Sequence, residues 1–543
     1  MDFYSRLTTN KKEIIVVFLL SLLFVLITVP GISWGTPSIW NPDELIERVD
    51  WALHGQWKFN EINFDYPSLP QYVMYGIGIV VYRLGYPLEV LIQVARLFSV
   101  LLGASVVALT YVIARLMKGN IPSGVIAAIL VISSSEMAQH ARYAHNDIYL
   151  TFFVCLTVYL LIRFKVSPCK LWLYLSFFCV GLATSSKYNG ASLLLVPLVL
   201  YAITFKQKPI HDFLHFFETL FIGFMMSFLG YVIGTPKALM SMSFYVNGLI
   251  PALANHANYG RTPFSMMGFL GQWNILPRAL GTPVYWLFIF TFAWFCIRLF
   301  LSHFREISIN SDIQLDLVLV VLLSVVTLDL PIMVSYNYQP RFFLSIIHLM
   351  SILAALFINE LTELAYIRES KMAARLIWIV CLVIIGWSLL RVAGVALLFQ
   401  NDARIAASEF VNTLPKKRNV EFTLYPPTIS KEHFRKVKRY PVIFKKFLYE
   451  DLPVSSKHNH GEFGIEKRRP DYLIIDSITY DRFKDDYICS TLVEECKFFN
   501  KLLAGQTNYQ LMKTFKYTLP PFLPDLNLPF LNPEIWIYER MSE

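Results

Sequence analysis

The chain has 543 residues, of which 55% are hydrophobic and only 16% charged, with a mean hydropathy of +0.48 and a formal net charge of +9. A soluble domain carries about 25% charged residues, so the composition excludes an ordinary cytosolic protein, and its apolar content excludes a disordered one. Nucleic acid is not expected as a partner, because the basic residues sit in short clusters between apolar stretches, the pattern of membrane faces.

A helix needs about 20 apolar residues to cross a bilayer. Runs of that kind occur at about 13–30, 88–114, 121–139, 147–164, 171–186, 190–205, 214–234, 282–302, 313–334, 342–360 and 374–399, about eleven spans. The first run is long and lacks a small-residue cleavage site before Trp34, so it reads as a retained helix rather than a signal peptide. Arg6, Lys11 and Lys12 place the N-terminus inside. Counting onward, every inside loop is basic: Arg115 and Lys118; Arg163, Lys165 and Lys170; Lys206 and Lys208; Arg298 and Arg305; Arg368, Lys371 and Arg375. The outside face then receives two long loops, 31–87 and 235–281, and the whole C-terminal tail.

Within loop 31–87, Ile46, Val49 and Leu53 fall at helical spacing and predict a short amphipathic helix. Asn41 and Pro42 suit its start, so Asp43 and Glu44 read either as first-turn acids complementing the helix dipole or as catalytic carboxylates. Asp65 follows in Asn63-Phe64-Asp65-Tyr66-Pro67-Ser68-Leu69-Pro70, a stiff non-helical entry to the next apolar stretch. Arg96 lies inside the second span, where a cation is costly unless it snorkels or meets an anion; an ion pair with an acid of the first loop is one resolution. Asp147 opens the fourth span beside His145. One histidine and one acid are too few to claim a metal site. Lys187 occupies a very short outer turn, and Arg341 the matching outer end of the tenth span. Asp43, Glu44, Asp65, Asp147, Lys187 and Arg341 thus share one face, with Arg96 within reach of it. Acids and cations together at a bilayer surface suit a reaction on a phosphate-bearing lipid: cations stabilise the departing phosphate, and an acid takes a proton from the nucleophile. No Walker, GxGxxG, zinc-protease or Gly-x-Ser-x-Gly motif occurs.

The tail, from about 401 to 543, changes composition and predicts a small α/β or α+β lobe. It carries a helix over 402–414, strands at 420–425, 472–475 and 535–538, and a helix near 485–503. On the outer face Cys489 and Cys496 are open to oxidation, but on an unbroken helix they would stand about 10 Å apart, too far for a disulfide.

The order of these motifs resembles the membrane-embedded GT-C glycosyltransferases, specifically glycosyltransferase family 39, which includes dolichyl-phosphate-mannose protein mannosyltransferases and bacterial aminoarabinose transferases acting on lipid A. Pro42-Asp43-Glu44 looks like the acidic motif of the first outer loop. Asp65-Tyr66-Pro67-Ser68-Leu69 resembles the acid and Pro-Pro-Leu-type turn, and Ala95-Arg96-Leu97-Phe98-Ser99 the second-helix arginine motif. Asp147 resembles the fourth-helix acid, Gly181-Leu182-Ala183 through Lys187 the Gly-Leu-Ala…Lys segment, and Asn401-Asp402-Ala403-Arg404 the start of the extracytoplasmic tail. Tyr66 stands where many bacterial members have Lys, and Ser68 replaces the second proline.

The resemblance implies a GT-C-like catalytic domain over 1–400, an extracytoplasmic domain over 401–543, and a polyprenyl-phosphate sugar as donor. The acceptor is a lipid, a glycan or a protein. It further implies inverting transfer with Asp43 as base, Glu44, Asp65 and Asp147 as further catalytic carboxylates, and Arg96, Lys187 and Arg341 on the donor phosphate. A divalent metal is compatible with this chemistry but is required by no ligand cluster in the sequence. The rival classes are a lipid or glycolipid transporter, a glycan ligase, and a receptor or scaffold acting through the tail.

Overall fold

The computed structural model describes residues 11–57, 66–118, 120–205, 213–258, 267–304, 313–335, 338–367, 369–441, 459–526, 528 and 530–541. It forms two compact units, one of residues 1–32 with 43–393 and one of 33–42 with 394–543.

The first unit is helical throughout. Among the described residues, eight helices are long and apolar enough to cross a membrane: Leu88–Lys118, Asn146–Val166, Tyr188–Phe205, Phe213–Gly234, Thr282–Ser302, Leu315–Met333, Pro340–Tyr366 and Lys371–Val411, the last running on into the second unit. The sequence reading of about eleven is higher because three further predicted spans form shorter or more polar helices. Lys11–Thr28 opens on Lys-Lys-Glu and Lys170–Ser186 has 17 residues. The predicted 121–139 span breaks into Ile121–Ile132 and Ser135–His140, because Ser134 turns extended and its hydroxyl caps Met137. Burial sorts the spans: 89% of the apolar window of Pro340–Tyr366 and 72% of that of Asn146–Val166 are enclosed, against 17% for Phe213–Gly234. The first two form the centre, while Phe213–Gly234 turns Phe217, Phe221 and Phe228 outward, as a lipid-facing helix does.

Two glycines bring the peripheral helix in close. A Cβ on Gly181 would lie 2.0 Å from the carbonyl oxygen of Ser227, and one on Gly230 would lie 2.3 Å from that of Phe178. Helices Lys170–Ser186 and Phe213–Gly234 therefore touch backbone to backbone.

In the first outer loop the amphipathic helix runs from Ile46 to Leu53 and buries Ile46, Val49 and Ala52. It starts later than Asn41-Pro42 predicts: Leu45 precedes it and no side chain caps it. Asp43 and Glu44 are therefore not first-turn acids. A further apolar helix, Leu69–Arg83, follows the Pro67–Pro70 turn.

The second unit contains a five-stranded sheet in the order β2-β1-β3-β5-β4. Strands β1 (Asn419–Phe422), β2 (Lys436–Arg439) and β3 (Tyr472–Asp476) run parallel, and β5 (Ile535–Arg540) and β4 (Tyr509–Phe515) run antiparallel. The sequence pattern finds the three central strands, with β3 buried at every position. It misses the two edges, where Lys-Val-Lys-Arg and Tyr-Gln-Leu-Met-Lys expose most of their side chains. The helix predicted near 485–503 is two helices, Asp486–Thr491 and Val493–Leu503. The break at Leu492 brings the Cα atoms of Cys489 and Cys496 to 5.3 Å, and the pair forms a disulfide, contrary to the expectation from an unbroken helix. Within this unit Trp34 Nε1 donates to Asp402 (3.0 Å), and the Arg404 guanidinium lies over both Trp34 and Trp40.

Candidate active site

The first unit gathers charge at one end of its helix bundle. His145, extended at φ −137°, starts helix Asn146–Val166 and puts Asp147 in its first turn. The next helix, Lys170–Ser186, ends at Ser186, so Lys187 lies just beyond, its N–H still bonded to the Ala183 carbonyl. The chain then folds straight back in a 3-10 turn, Tyr188–Leu194. Gly190 permits this, because a Cβ there would meet the Ala183 carbonyl carbon at 2.6 Å. Arg341 sits in another 3-10 turn, Pro340–Phe343, at the head of helix Leu344–Ile367. Two helix starts and one helix end thus converge.

Two ion pairs result. Asp43 pairs with Arg341, and Lys187 Nζ lies 2.5 Å from Asp147 Oδ1. His145 Nδ1 lies 2.8 Å from the other Asp147 oxygen. Phe342 joins the cations, its ring 4.3 Å from Lys187 Nζ and 5.8 Å from the Arg341 guanidinium carbon. Tyr66 stands edge-on to His145 at 5.5 Å. Burial acts to raise the proton affinity of Asp43; the charge of Arg341 beside it outweighs this and holds the carboxyl below its ordinary range. The acids differ in access: the Asp43 side chain is 24% exposed, that of Asp147 only 2%.

Glu44 and Arg96 form a separate unit, with no exposed side-chain surface on either residue. Arg96 Nε donates to Glu44 Oε1 (2.8 Å), Nη2 to Oε2 (2.7 Å) and Nη1 to the Ile32 carbonyl (2.9 Å). Glu44 Oε1 also accepts the Ala144 N–H at 2.9 Å, and Leu45 N–H donates to the Ala144 carbonyl. The loop that carries Asp43 is thereby fastened to the loop that carries His145 and Asp147. Of the predicted site residues, then, Asp43, Asp147, Lys187 and Arg341 come together, Glu44 and Arg96 lie behind them as a buried brace, and Asp65 falls outside the described residues. Sequence reasoning named His145 but gave it no role; its adjacency to Asp147 was the available signal. Phe342 and Tyr66 carried no signal beyond their neighbours in the chain. Among the described residues no group of three or more His, Cys, Asp or Glu is arranged to hold a metal ion.

The sequence profile of the dolichyl-phosphate-mannose-protein mannosyltransferases matches residues 85–248, the stretch from Arg96 through Lys187. No curated protein sequence matches the chain. Among solved structures, ArnT from Cupriavidus metallidurans bound to undecaprenyl phosphate is similar at a TM-score of 0.51 and 11% identity, covering 97% of this chain and 98% of that one. Its apo form gives the same TM-score at 12% identity. The Archaeoglobus fulgidus oligosaccharyltransferase in complex with zinc and sulfate is similar at a TM-score of 0.55 and 10% identity, covering 90% of this chain and 70% of that one. At these identities the likeness concerns the fold. Long apolar helices, the ordered motifs and these neighbours agree on one architecture: the chain has the fold of the GT-C membrane glycosyltransferases.

Proposed function

We propose that the protein moves a sugar from a polyprenyl-phosphate-linked donor to an acceptor at the outer face of the plasma membrane, by inverting displacement. The observation that carries this reading is the coupled pair of ion pairs, Asp43 with Arg341 and Asp147 with Lys187, at one end of the bundle. ArnT, similar in fold along its whole length, was solved with undecaprenyl phosphate, a lipid of the proposed class. The Cys489–Cys496 disulfide fits an oxidising, extracytoplasmic compartment for the 401–543 domain, with catalysis in 1–400.

The pairing supplies a mechanism. A donor phosphate needs cations, and Arg341 and Lys187 are held near it by carboxylates they can exchange for phosphate oxygens. When Arg341 turns to the phosphate, Asp43 loses the charge that lowers its proton affinity, so donor binding strengthens the base. Asp43, the more accessible acid, takes the proton of an acceptor hydroxyl or amine. The nucleophile attacks the anomeric carbon in line, and the bond to the phosphate oxygen breaks. Lys187 and Arg341 stabilise the charge that gathers on the leaving polyprenyl phosphate. Glu44 and Arg96 hold the Asp43 loop in place.

The test is the Asp43→Asn protein. It should insert, fold with a melting temperature lowered only by the loss of the Arg341 pairing, and bind polyprenyl phosphate, while transfer falls by about a thousandfold or more, the scale of losing a general base with its electrostatic role. Transfer near wild-type rate by the inserted variant refutes the base assignment. Mass analysis of the wild-type product separates the related classes: one added sugar supports this reading, a whole glycan supports a ligase, and relocation without covalent change supports a transporter.

A further inference from the structure

Among the described residues, the carboxylates and cations of the cluster balance, with one group left over. Asp43 and Asp147 contribute two negative charges, Lys187 and Arg341 two positive ones. Glu44 and Arg96 cancel in their own pair, reaching the cluster only through the backbone of Ala144. Arg142, on the same loop, spends its guanidinium on the carbonyls of Ile27, Pro30 and Ala138. Tyr66 is neutral. Among the described residues around it, the remaining titratable group is His145.

His145 is built like a residue waiting for a ligand. Its side chain is 3% exposed, its Nδ1 is fixed by Asp147 at 2.8 Å, and its Nε2 is buried without a hydrogen-bond partner among the described residues. A buried polar atom is seldom left unpaired, because each such atom forfeits the hydrogen bonds it had in water. The neighbouring Asn146 repeats the pattern: its Nδ2 donates to the Ser186 carbonyl, while its Oδ1 is buried and unpaired.

A polyprenyl-phosphate sugar is a phosphodiester and carries one negative charge. Entering a cluster whose described carboxylates and cations already pair off, it would leave that charge uncompensated in a poorly hydrated site. One proton restores the balance, and imidazole is the side chain that accepts a proton near neutrality. We infer that His145 is a donor-binding residue: Nε2 takes up one proton from solvent as the phosphodiester binds, and its new N–H donates to a phosphate oxygen beside Lys187 and Arg341. When the sugar leaves, the phosphate gains a second charge, and the imidazolium is already in place to stabilise it. This rests on the polyprenyl-phosphate donor reading and adds to it a coupling between donor binding and proton uptake.

The experiment is titration calorimetry of the full-length detergent-solubilised protein with a short-chain polyprenyl phosphomannose. The charge of this diester is constant across the working range. Binding is measured in two buffers of different ionisation enthalpy, so that the heat difference counts protons. The wild type should take up close to one proton per donor at about pH 8, and its affinity should weaken as pH rises above the imidazole range. The His145→Gln protein should take up none and bind with little pH dependence. Its affinity should be about a hundredfold below wild type near pH 7 and approach it only above about pH 9. Wild-type binding without proton uptake overturns the proposal whether or not the variant folds. So does a folded variant with the wild-type pH profile. Absence of donor binding by wild type at every pH refutes the donor reading, and the His145 proposal with it.

Discussion

The resemblance puts Arg96 on the donor phosphate, whereas in the structure it is sealed in an ion pair with Glu44, and Arg96→Ala separates a phosphate role from a bracing one. The substitution removes the bidentate contact and the bond to the Ile32 carbonyl. It leaves Glu44 with no exposed surface and the Ala144 N–H as its remaining recorded donor. Breaking a buried pair by removing one partner costs about 3–5 kcal/mol, mostly the penalty of the stranded charge. For a chain of this size, at about 2 cal/mol/K of unfolding entropy per residue, that corresponds to a fall in melting temperature of about 3–4 °C. The double variant Glu44→Gln/Arg96→Met strands no charge and should recover most of the loss. The assay is thermal unfolding of the purified protein in detergent, run beside polyprenyl phosphate binding on the same samples. A brace predicts a large loss of stability in the single variant, rescued in the double, with donor affinity following the folded fraction. An Arg96→Ala protein that melts like wild type yet loses donor binding refutes this reasoning and returns Arg96 to the phosphate.

Two further outcomes are expected. Because Arg341 lowers the proton affinity of Asp43 in the folded protein, their pairing stabilises fully above the ordinary aspartate range near pH 4 and is lost as pH falls through the lower folded value. The difference in melting temperature between wild type and Asp43→Asn should therefore be constant from about pH 8 to pH 5 and shrink only below about pH 4; a difference that declines between pH 7 and 5 contradicts the pairing. In the second unit, the Cys489–Cys496 bridge closes a loop with a sequence separation of 7, and Cys489→Ala/Cys496→Ala should lower that unit's stability by about 2 kcal/mol, read by proteolysis at increasing urea. An unchanged urea profile, or free thiols at both positions in the native protein, sinks the prediction.

The membrane character, most of the helices and the charged residues of the site were legible in the chain itself. Apolar runs of about twenty residues have few folding alternatives in a bilayer, and a charged group among them stands out because its burial is so costly. Among the three central strands, β3 was legible for a similar reason, since a strand buried on both faces reads as a nearly unbroken apolar run. Edge strands β2 and β4 were not, because their side chains meet solvent and their place depends on a neighbour far along the sequence. The same limit governed the disulfide: helical periodicity placed the two cysteines too far apart, and only the break at Leu492 brought them together. At the site, sequence supplied the acids and cations but not their partners. Which acid meets which cation depends on contacts spanning 298 residues for Asp43 with Arg341, 52 for Glu44 with Arg96 and 40 for Asp147 with Lys187. Local patterns carry no information about such distances. Tertiary packing alone divided one group of charges into a cluster in which Asp43 keeps 24% of its side-chain surface exposed and a Glu44–Arg96 pair that keeps none.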